Sequence, residues 1–430
     1  MDIQTCQRLH PMHWKKSCAI RTLTLDAIAS ANSGHSGMPM GMADVATVLF
    51  EKHLKFDAND PNWPDRDRLI LSAGHGSMLL YSLLHLCGYK DFSIEEIRNF
   101  RQLEAKTAGH PENFLAAGVE TTTGPLGQGI ANSVGFALAE EILRAKFGKN
   151  IIDHYTFVIA GDGCLMEGLS HEAISLAGRH KLSKLVVLWD NNNITIDGTV
   201  QLADATDQLK RFSATGWEVI EIDGHDPVAI DKSLTQAKRS KNPTLIACKT
   251  HIAYGSSAQD TSKGHGALTD PELIAETKKQ YRWTEQPFVI PLDIKKQWEE
   301  IGKKGSKERE NWTNRLNKIS KNQREEFFRI QNFQPAKKLR SVVRKLKLLI
   351  SEETPKIATR KSSEMALNLI NPICTETFGG SADLSGSNNT KSIDMEAFDI
   401  TNRSGRYMYW GVREHGMSAA MNGMALHGGI

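Results

Sequence analysis

The chain has 430 residues, too many for one ordinary hydrophobic core, so we expect two or more domains. Its 53 Lys and Arg against 50 Asp and Glu leave a net charge of +3, which argues against a nucleic-acid partner. Apolar residues make up 40% of the chain and charged residues 24%, the composition of a globular protein and not of a disordered one.

The six cysteines are scattered, with no CxxC pair and no zinc spacing, so we expect reduced thiols in a cytoplasmic protein. Residues Met1–Cys18 contain no apolar run, which argues against a secretory signal. Eighteen apolar residues never run together, so we expect no membrane span and no membrane partner.

Short runs rich in apolar and β-branched residues predict five strands. In chain order these are Arg68–Ser72, TFVIA from Thr156, LVVLW from Leu185, EVIEI from Glu218 and TLIAC from Thr244. Steps of 29, 33 and 26 residues separate the last four starts, which leaves room for one crossover helix each. Helices are predicted at Met78–Leu86 and Leu165–His180. Strands that are buried on both faces and alternate with helices predict an α/β fold with a parallel sheet.

Composition then divides the chain into three parts. Residues 1–293 form a large first α/β domain, and residues 294–357 are crowded with Lys, Arg, Glu, Asn and Gln, which predicts a linker of exposed helices. A second α/β domain occupies residues 358–430 and is still in progress at the last residue, so we expect it to be incomplete.

Polar residues follow two of the predicted strands directly. Asp162 and Gly163 stand in the GDG after TFVIA, and Asn192 stands in the NNN after LVVLW. Open α/β sheets bind ligands at the carboxyl ends of their strands. The carboxylate and amide oxygens suit Mg²⁺ or Ca²⁺, and Gly163 lets the backbone approach a phosphate. Either motif alone is more often a simple turn, but their occurrence at successive strand ends favours a cation and phosphate site.

Four histidines stand out because each neighbours a glycine in a short polar motif. They are His35, His75, His110 and His265. Glycine neighbours leave an imidazole room to meet a ligand, although Gly–His is also ordinary loop composition. The segment TTTGPLGQG, from Thr121, predicts a loop that opens a helix.

A GDG followed about 30 residues later by NN is the signature of thiamine-diphosphate enzymes, and the chain resembles the transketolase family from near residue 13 to its end. Eight motifs match in the family's order: HSGMPMG (35–41), LSAGHGS (71–77), KTAGHPE (106–112), TTTGPLGQG (121–129), GDGCLMEG (161–168), SKGHGA (262–267), GGSADLSGSN (379–388) and GVREHGM (411–417). The first motif departs from the commoner HPGAPMG at Ser36 and Met38, and we expect this departure to have no effect.

The resemblance implies a diphosphate-binding domain followed by a pyrimidine-binding domain, in a homodimer that shares its sites. It also implies that His35 and His265 flank the reacting carbonyl and the diphosphate. By the same resemblance, His75 contacts the diphosphate and His110 hydrogen-bonds the terminal hydroxyl of the sugar. Neutral imidazoles suit these tasks because they can both donate and accept a proton.

Further residues are assigned by the resemblance alone. Gly124, Pro125 and Leu126 would line the cofactor rings, and Asp383 would face the cofactor. Arg360 and Ser387 would clamp the sugar phosphate, as suits an Arg in bidentate phosphate binding.

Two acids complete the set that the resemblance implies. Glu414 matches a buried carboxylic acid that hydrogen-bonds the pyrimidine ring and activates the cofactor, and Glu167 matches an acid that couples paired sites. For the metal, our hypothesis is that Asp162, Asn192 and the carbonyl of Ile194 hold Mg²⁺ or Ca²⁺.

The implied activity is transfer of a two-carbon ketol unit from a ketose phosphate such as xylulose 5-phosphate to an aldose phosphate such as ribose 5-phosphate. Alternatives are a sister enzyme such as dihydroxyacetone synthase or deoxyxylulose-phosphate synthase, and a truncated homologue that only binds cofactor or partner chains. A nicotinamide-dependent dehydrogenase is disfavoured because no GxGxxG follows the strands. In the family the second domain continues past the match to Ile430, so we expect negligible turnover by the 430-residue chain alone.

Overall fold

The computed structural model describes residues 1–430, and its packing divides them into two units. The first unit contains residues 1–133 and 154–310, and the second contains residues 134–153 and 311–430. The helix after Pro291 illustrates how these units differ from the predicted domain bounds. It buries Trp298 completely, and the Gly302 carbonyl accepts a hydrogen bond from Ala58 N at 2.8 Å, within the first unit. The bounds 1–293, 294–357 and 358–430 stay a prediction.

A five-stranded, all-parallel sheet forms the centre of the first unit. Its strands are β1 Arg68–Leu71, β2 Thr156–Gly161, β3 Leu185–Asn191, β4 Glu218–Asp223 and β5 Thr244–Lys249. They lie in the order β1-β2-β3-β5-β4, and all five predicted strands are confirmed. The α/β class is also confirmed. The prediction that EVIEI is buried on both faces was wrong, because β4 is an edge strand whose side chains are half-buried or exposed.

Several helices of the first unit pack against this sheet. The helices that begin in the first unit are α1 Ile3–Leu9, α2 Pro11–Ala31, α3 Gly37–Val48, α4 Ser77–Leu86, α5 Ile94–Arg98, α6 Gln128–Phe147, α7 Asp162–Met166, α8 Gly168–Arg179, α9 Gln208–Ala214, α10 Pro227–Ala237, α11 Pro271–Gln280, α12 Leu292–Lys303 and α13 Ser306–Lys318. The predicted helix Met78–Leu86 is confirmed within α4. The predicted continuous helix Leu165–His180 was wrong at Glu167, whose extended backbone separates α7 from α8.

Helix α3, which follows His35, is held in place by buried charge. Asp44 on this helix accepts hydrogen bonds from the guanidinium of Arg21, from His13 Nε2 at 3.0 Å and from His225 Nδ1 at 2.8 Å. All twelve residues of α3 are buried. These contacts anchor the helix that follows the segment carrying His35.

The second unit contains a two-stranded parallel sheet formed by β6 Gly379–Ser381 and β7 Tyr407–Tyr409. The remaining helices are α14 Lys321–Gln331, α15 Leu339–Glu353, α16 Thr359–Ile370, α17 Ser385–Asn388 and α18 Glu414–His427. Within this unit Trp312 is buried and donates from Nε1 to the Ile151 carbonyl at 2.7 Å. Helices α13 and α14 therefore bury apolar residues, whereas α15 contains no buried residue and is exposed as the sequence predicts. None of the chain's helices has the length and hydropathy needed to cross a bilayer.

Candidate active site

The GDG and NNN motifs meet at the carboxyl-terminal edge of the sheet. Gly161 at the end of β2 lies opposite Asp190 near the end of β3, so the residues that follow them are neighbours. Asp162 begins α7 and is only 8% exposed. Its Oδ1 accepts a hydrogen bond from Trp189 Nε1 at 2.9 Å, whereas its buried Oδ2 has no partner.

Asn192 is held at both ends of its amide. Its Nδ2 donates to Asp190 Oδ2 at 2.8 Å, and its Oδ1 accepts from the backbone N–H of Ile194 at 2.9 Å. Asn193 between them has φ +63°, a left-handed conformation that Asn tolerates and that turns the chain sharply. The turn brings the Ile194 backbone near the Asn192 amide.

Two carboxyl groups therefore share this edge. Burial raises the pKa of Asp162 to about 6. Burial also raises the pKa of Asp190 to about 7, and the charge of Asp162 adds to that rise. Asp190 is 1% exposed and is not among the site residues that the motifs predicted. The signal was an ionisable residue at the end of an otherwise apolar buried strand.

The residues at this edge fit a hard divalent cation. Asp162 Oδ2 is a buried oxygen without a donor, and such a group is costly unless an ion or a water satisfies it. Amide and carbonyl oxygens of Asn192 and Ile194 are also oxygen donors of the kind that Mg²⁺ and Ca²⁺ prefer. A cavity of about 230 Å³ opens beside Asp162, with Trp189 and Asn193 also in its wall.

Three of the four predicted histidines form one cluster. Ring centroids lie 5.2 Å apart for His35 and His75, 5.5 Å for His35 and His265, and 5.0 Å for His75 and His265. His75 sits in a 3-10 turn after β1, and His265 ends a second 3-10 turn at Ser262–His265. Loops from three distant parts of the chain thus present their imidazoles to one point.

Burial keeps these imidazoles neutral. It lowers the pKa of His35 to about 4 and that of His75 to about 3, and the neighbouring imidazoles add to both effects. Burial also lowers the pKa of His110 and of His265. His35 Nδ1 is buried without a hydrogen-bond partner, so it can meet a ligand.

Ser36, at which the chain departs from the commoner family motif, makes two hydrogen bonds to the segment that follows His265. Ser36 N donates to the Gly266 carbonyl at 2.9 Å, and Ser36 Oγ accepts from Leu268 N at 3.1 Å. A proline at this position has neither an N–H nor a hydroxyl and could make neither bond. Met38, the other departure, is 3% exposed and packs its Cε against Gly76.

The predicted loop from Thr121 does open a helix, since α6 begins at Gln128. This loop lies beside the strand-end motifs, because a Cβ built on Gly163 would come within 2.9 Å of Leu126 Cδ1. His110 also borders the loop, with its ring 3.6 Å from a Cβ built on Gly124. Pro125 and Glu167 are exposed. The structure therefore brings together the predicted residues of the first unit.

Four predicted residues lie in the second unit, and all are exposed: Arg360 on α16, Asp383, Ser387 on α17 and Glu414. The buried surroundings that the resemblance implies for Glu414 are not provided here. It is the first residue of α18, and nearby Val412 is 74% exposed, so nothing in this unit covers that turn. An apolar cavity of about 710 Å³ begins beside it, with Trp410 and Met417 in its wall.

The chain matches two family models and several curated relatives. The model described as "Transketolase, thiamine diphosphate binding domain" matches residues 13–336, and "Transketolase, pyrimidine binding domain" matches residues 355–430. A transketolase of Rhodobacter capsulatus is 56% identical over all of this chain, and one of Sinorhizobium medicae is 50% identical over 96% of it. The chain spans 64% and 59% of the lengths of these relatives.

Solved structures show the same similarity. Transketolase from Leishmania mexicana matches with a TM-score of 0.92 at 39% identity, over 97% of this chain and 63% of that one. The enzyme from Campylobacter jejuni matches with a TM-score of 0.89 at 40% identity, over 97% and 64%. The two family models cover adjoining parts of the chain and the relatives share their name, so the chain belongs to the transketolase family.

Proposed function

We propose that this chain provides transketolase active-site residues and acts in the transfer of a two-carbon ketol unit from a ketose phosphate, such as xylulose 5-phosphate, to an aldose phosphate, such as ribose 5-phosphate. That transfer belongs to the pentose phosphate pathway. The observations that support it most are a cluster of buried histidines and a buried oxygen-donor site, both of which lie on the first unit. A Pichia stipitis transketolase solved with sedoheptulose-7-phosphate has a TM-score of 0.92 to this chain at 39% identity.

The residues present fit thiamine diphosphate with Mg²⁺ or Ca²⁺. Asp162, Asn192 and the Ile194 carbonyl would hold the cation against the diphosphate, which Gly163, His75 and His265 would contact. The loop Gly124, Pro125 and Leu126 would lie against the rings. When bound, the cofactor supplies a nucleophilic carbon and an electron sink for cleaving the bond next to the ketose carbonyl.

The histidines would bind and orient the sugar and move its protons. Because their pKa values are lowered, His35, His110 and His265 are neutral near pH 7 and each offers one donor and one acceptor. His35 and His265 would hold a proton at the carbonyl oxygen of the ketose, and His110 would bind the terminal hydroxyl. Neutral rings can also take up a proton without first losing one, as general base catalysis requires.

Residues of the second unit would serve a site completed by another chain, in a homodimer. Exposed positions of Glu414 and Asp383 suit contact with a cofactor held by a partner, and Arg360 and Ser387 would clamp the sugar phosphate. Glu167, also exposed, would couple the paired sites. The six buried free cysteines support a reducing, cytoplasmic setting.

Cofactor binding by the 430-residue chain tests the first half of this proposal. We expect saturable, Mg²⁺-dependent binding of thiamine diphosphate in titration calorimetry, and its near-complete loss in Asp162→Ala, which removes the only charged ligand. Glu276→Ala removes an exposed carboxylate on α11 and serves as the matched control. Unchanged affinity in Asp162→Ala would contradict the assignment.

Ketol transfer tests the second half. The chain can be joined to the C-terminal part of the Rhodobacter capsulatus relative that lies beyond the matched region, and assayed with xylulose 5-phosphate and ribose 5-phosphate. We expect transfer by the fusion and negligible transfer by the chain alone, because Glu414 is exposed in the latter. Activity only with formaldehyde as acceptor would favour a dihydroxyacetone synthase instead. A fusion that binds cofactor without any transfer would favour a binding protein.

A further inference from the structure

Asp190, which is not among the proposed ligands, connects two strands at the cation site. It precedes the last residue of β3 and lies opposite Cys248 of β5, so Thr250 just beyond β5 comes beside it. The hydroxyl of Thr250 donates to Asp190 Oδ1, and Asn192 Nδ2 donates to Asp190 Oδ2 at 2.8 Å. Both carboxylate oxygens are therefore already used by protein donors.

This arrangement differs from that of the other buried carboxylate at the same edge. Asp162 accepts a hydrogen bond from Trp189 on Oδ1, and its Oδ2 has no hydrogen-bond partner. Asp162 is thus equipped to bind a cation directly, whereas Asp190 is occupied by Thr250 and Asn192. The two carboxylates have different tasks although they are neighbours.

The bonds to Asp190 and Ile194 decide the orientation of the Asn192 amide. Only its NH₂ group can donate to a carboxylate, and only its oxygen can accept from the Ile194 N–H. A flipped amide would place oxygen against the Asp190 carboxylate and NH₂ against the Ile194 N–H, which are two repulsive contacts. The oxygen of Asn192 is consequently held on the Ile194 side and its NH₂ is kept away from a cation.

We propose that Asp190 is a positioning residue for the divalent cation: Thr250 orients its carboxylate, and the carboxylate orients Asn192 as an oxygen ligand without binding the metal itself. This inference rests on the cation site proposed above. Hydrogen-bond partners of metal ligands commonly have this effect, and their replacement weakens metal binding by about 10–100-fold.

The experiment is a titration of the 430-residue chain with Mn²⁺ at saturating thiamine diphosphate, with free Mn²⁺ measured by electron paramagnetic resonance. We expect Asp190→Ala to weaken Mn²⁺ binding about 10–100-fold. Asp190→Asn should weaken it far less, because its amide oxygen still accepts from Asn192 and its NH₂ can donate to Thr250 Oγ1. Thr250→Val, which leaves the bond between Asp190 and Asn192, should also weaken it less than Asp190→Ala.

The variants separate this inference from the cation site itself. If Asp162→Ala abolishes Mn²⁺ binding and Asp190→Ala does not change it, the inference is wrong and the site stands. If Asp162→Ala leaves binding unchanged, the proposed site is wrong. Equal weakening by Asp190→Asn and Asp190→Ala would show that charge and not amide orientation matters, which also overturns the inference.

Melting temperatures of the metal-free variants separate a positioning role from a loss of folded structure. A loss of affinity in Asp190→Ala that is rescued in Asp190→Asn, at similar melting temperatures, supports a positioning role.

Discussion

Replacing Asp162 by Asn should remove a pH-dependent destabilisation of the metal-free protein. Burial holds the pKa of Asp162 at about 6, above its ordinary 3.8, so the folded state prefers the protonated form. The raised pKa therefore makes the folded state more stable at low pH than at high pH. This stabilisation is complete below pH 3.8 and is lost as the pH rises through 6. At 1.36 kcal/mol per pH unit the whole effect is about 3 kcal/mol, and roughly half of it falls between pH 5 and pH 8.

The amide introduced by Asp162→Asn does not titrate, so the stability of this variant relative to the parent should rise by about 1.5 kcal/mol from pH 5 to pH 8. Asp190 acts in the same direction, because the variant removes one of the charges that raise its pKa. His35 and His75 act oppositely: their lowered pKa values make stability rise with pH up to about 6.5. Both histidines are present in the two proteins and cancel in the difference.

Urea unfolding followed by tryptophan fluorescence, in chelator at pH 5, 6, 7 and 8, measures this difference. The matched control Glu276→Gln changes an exposed carboxylate and should give a curve parallel to that of the parent. Added Mg²⁺ and thiamine diphosphate should stabilise the parent and not Asp162→Asn. Parallel pH curves for parent and Asp162→Asn would refute the assignment of a raised pKa to this carboxyl.

Two further predictions concern the histidine cluster. His35 and His75 should remain neutral at pH 6 in nuclear magnetic resonance titrations, since their pKa values lie at about 4 and about 3, and half-titration near 6.5 would contradict their burial. Ser36→Ala should speed hydrogen–deuterium exchange at the Leu268 amide, because a buried donor left without its acceptor costs about 1–3 kcal/mol. The Ala253 amide, which donates to the Gly37 carbonyl, is the internal control, and equal exchange at Leu268 in both proteins would count against the hydrogen bond from Leu268 to Ser36.

The sequence by itself determined where the strands run and which residues follow them. β-Branched and apolar composition is a local property, so the strands from Thr156 and Leu185 could be read directly. Because parallel strands end at one edge, the same pattern predicted that Asp162 and Asn192 lie close together. The order of the eight motifs then indicated the family, because short segments can be matched along the chain without knowing the distances between them in the fold.

Local sequence patterns did not predict which segments pack against one another and which side chains are buried by that packing. The break at Glu167 separates two stretches with the same helical composition, and the exposed face of β4 depends on its place at the sheet edge. Glu414 is exposed because no element of its unit packs over the first turn of α18. Burial depends on neighbours that are remote in the chain, and composition alone does not name them.

Only the tertiary structure showed which groups contact Asp190. Strand β5 lies between β3 and β4, although β4 precedes it in the chain, and this order alone brings Thr250 beside Asp190. A crossover connection of this length allows the next strand to be placed on either side of the preceding one, so the spacing of the strands along the chain does not predict their order in the sheet. The Asn192 amide is oriented by a carboxylate whose own orientation depends on a hydroxyl 60 residues away along the chain. That contact exists because folding places the ends of β3 and β5 side by side.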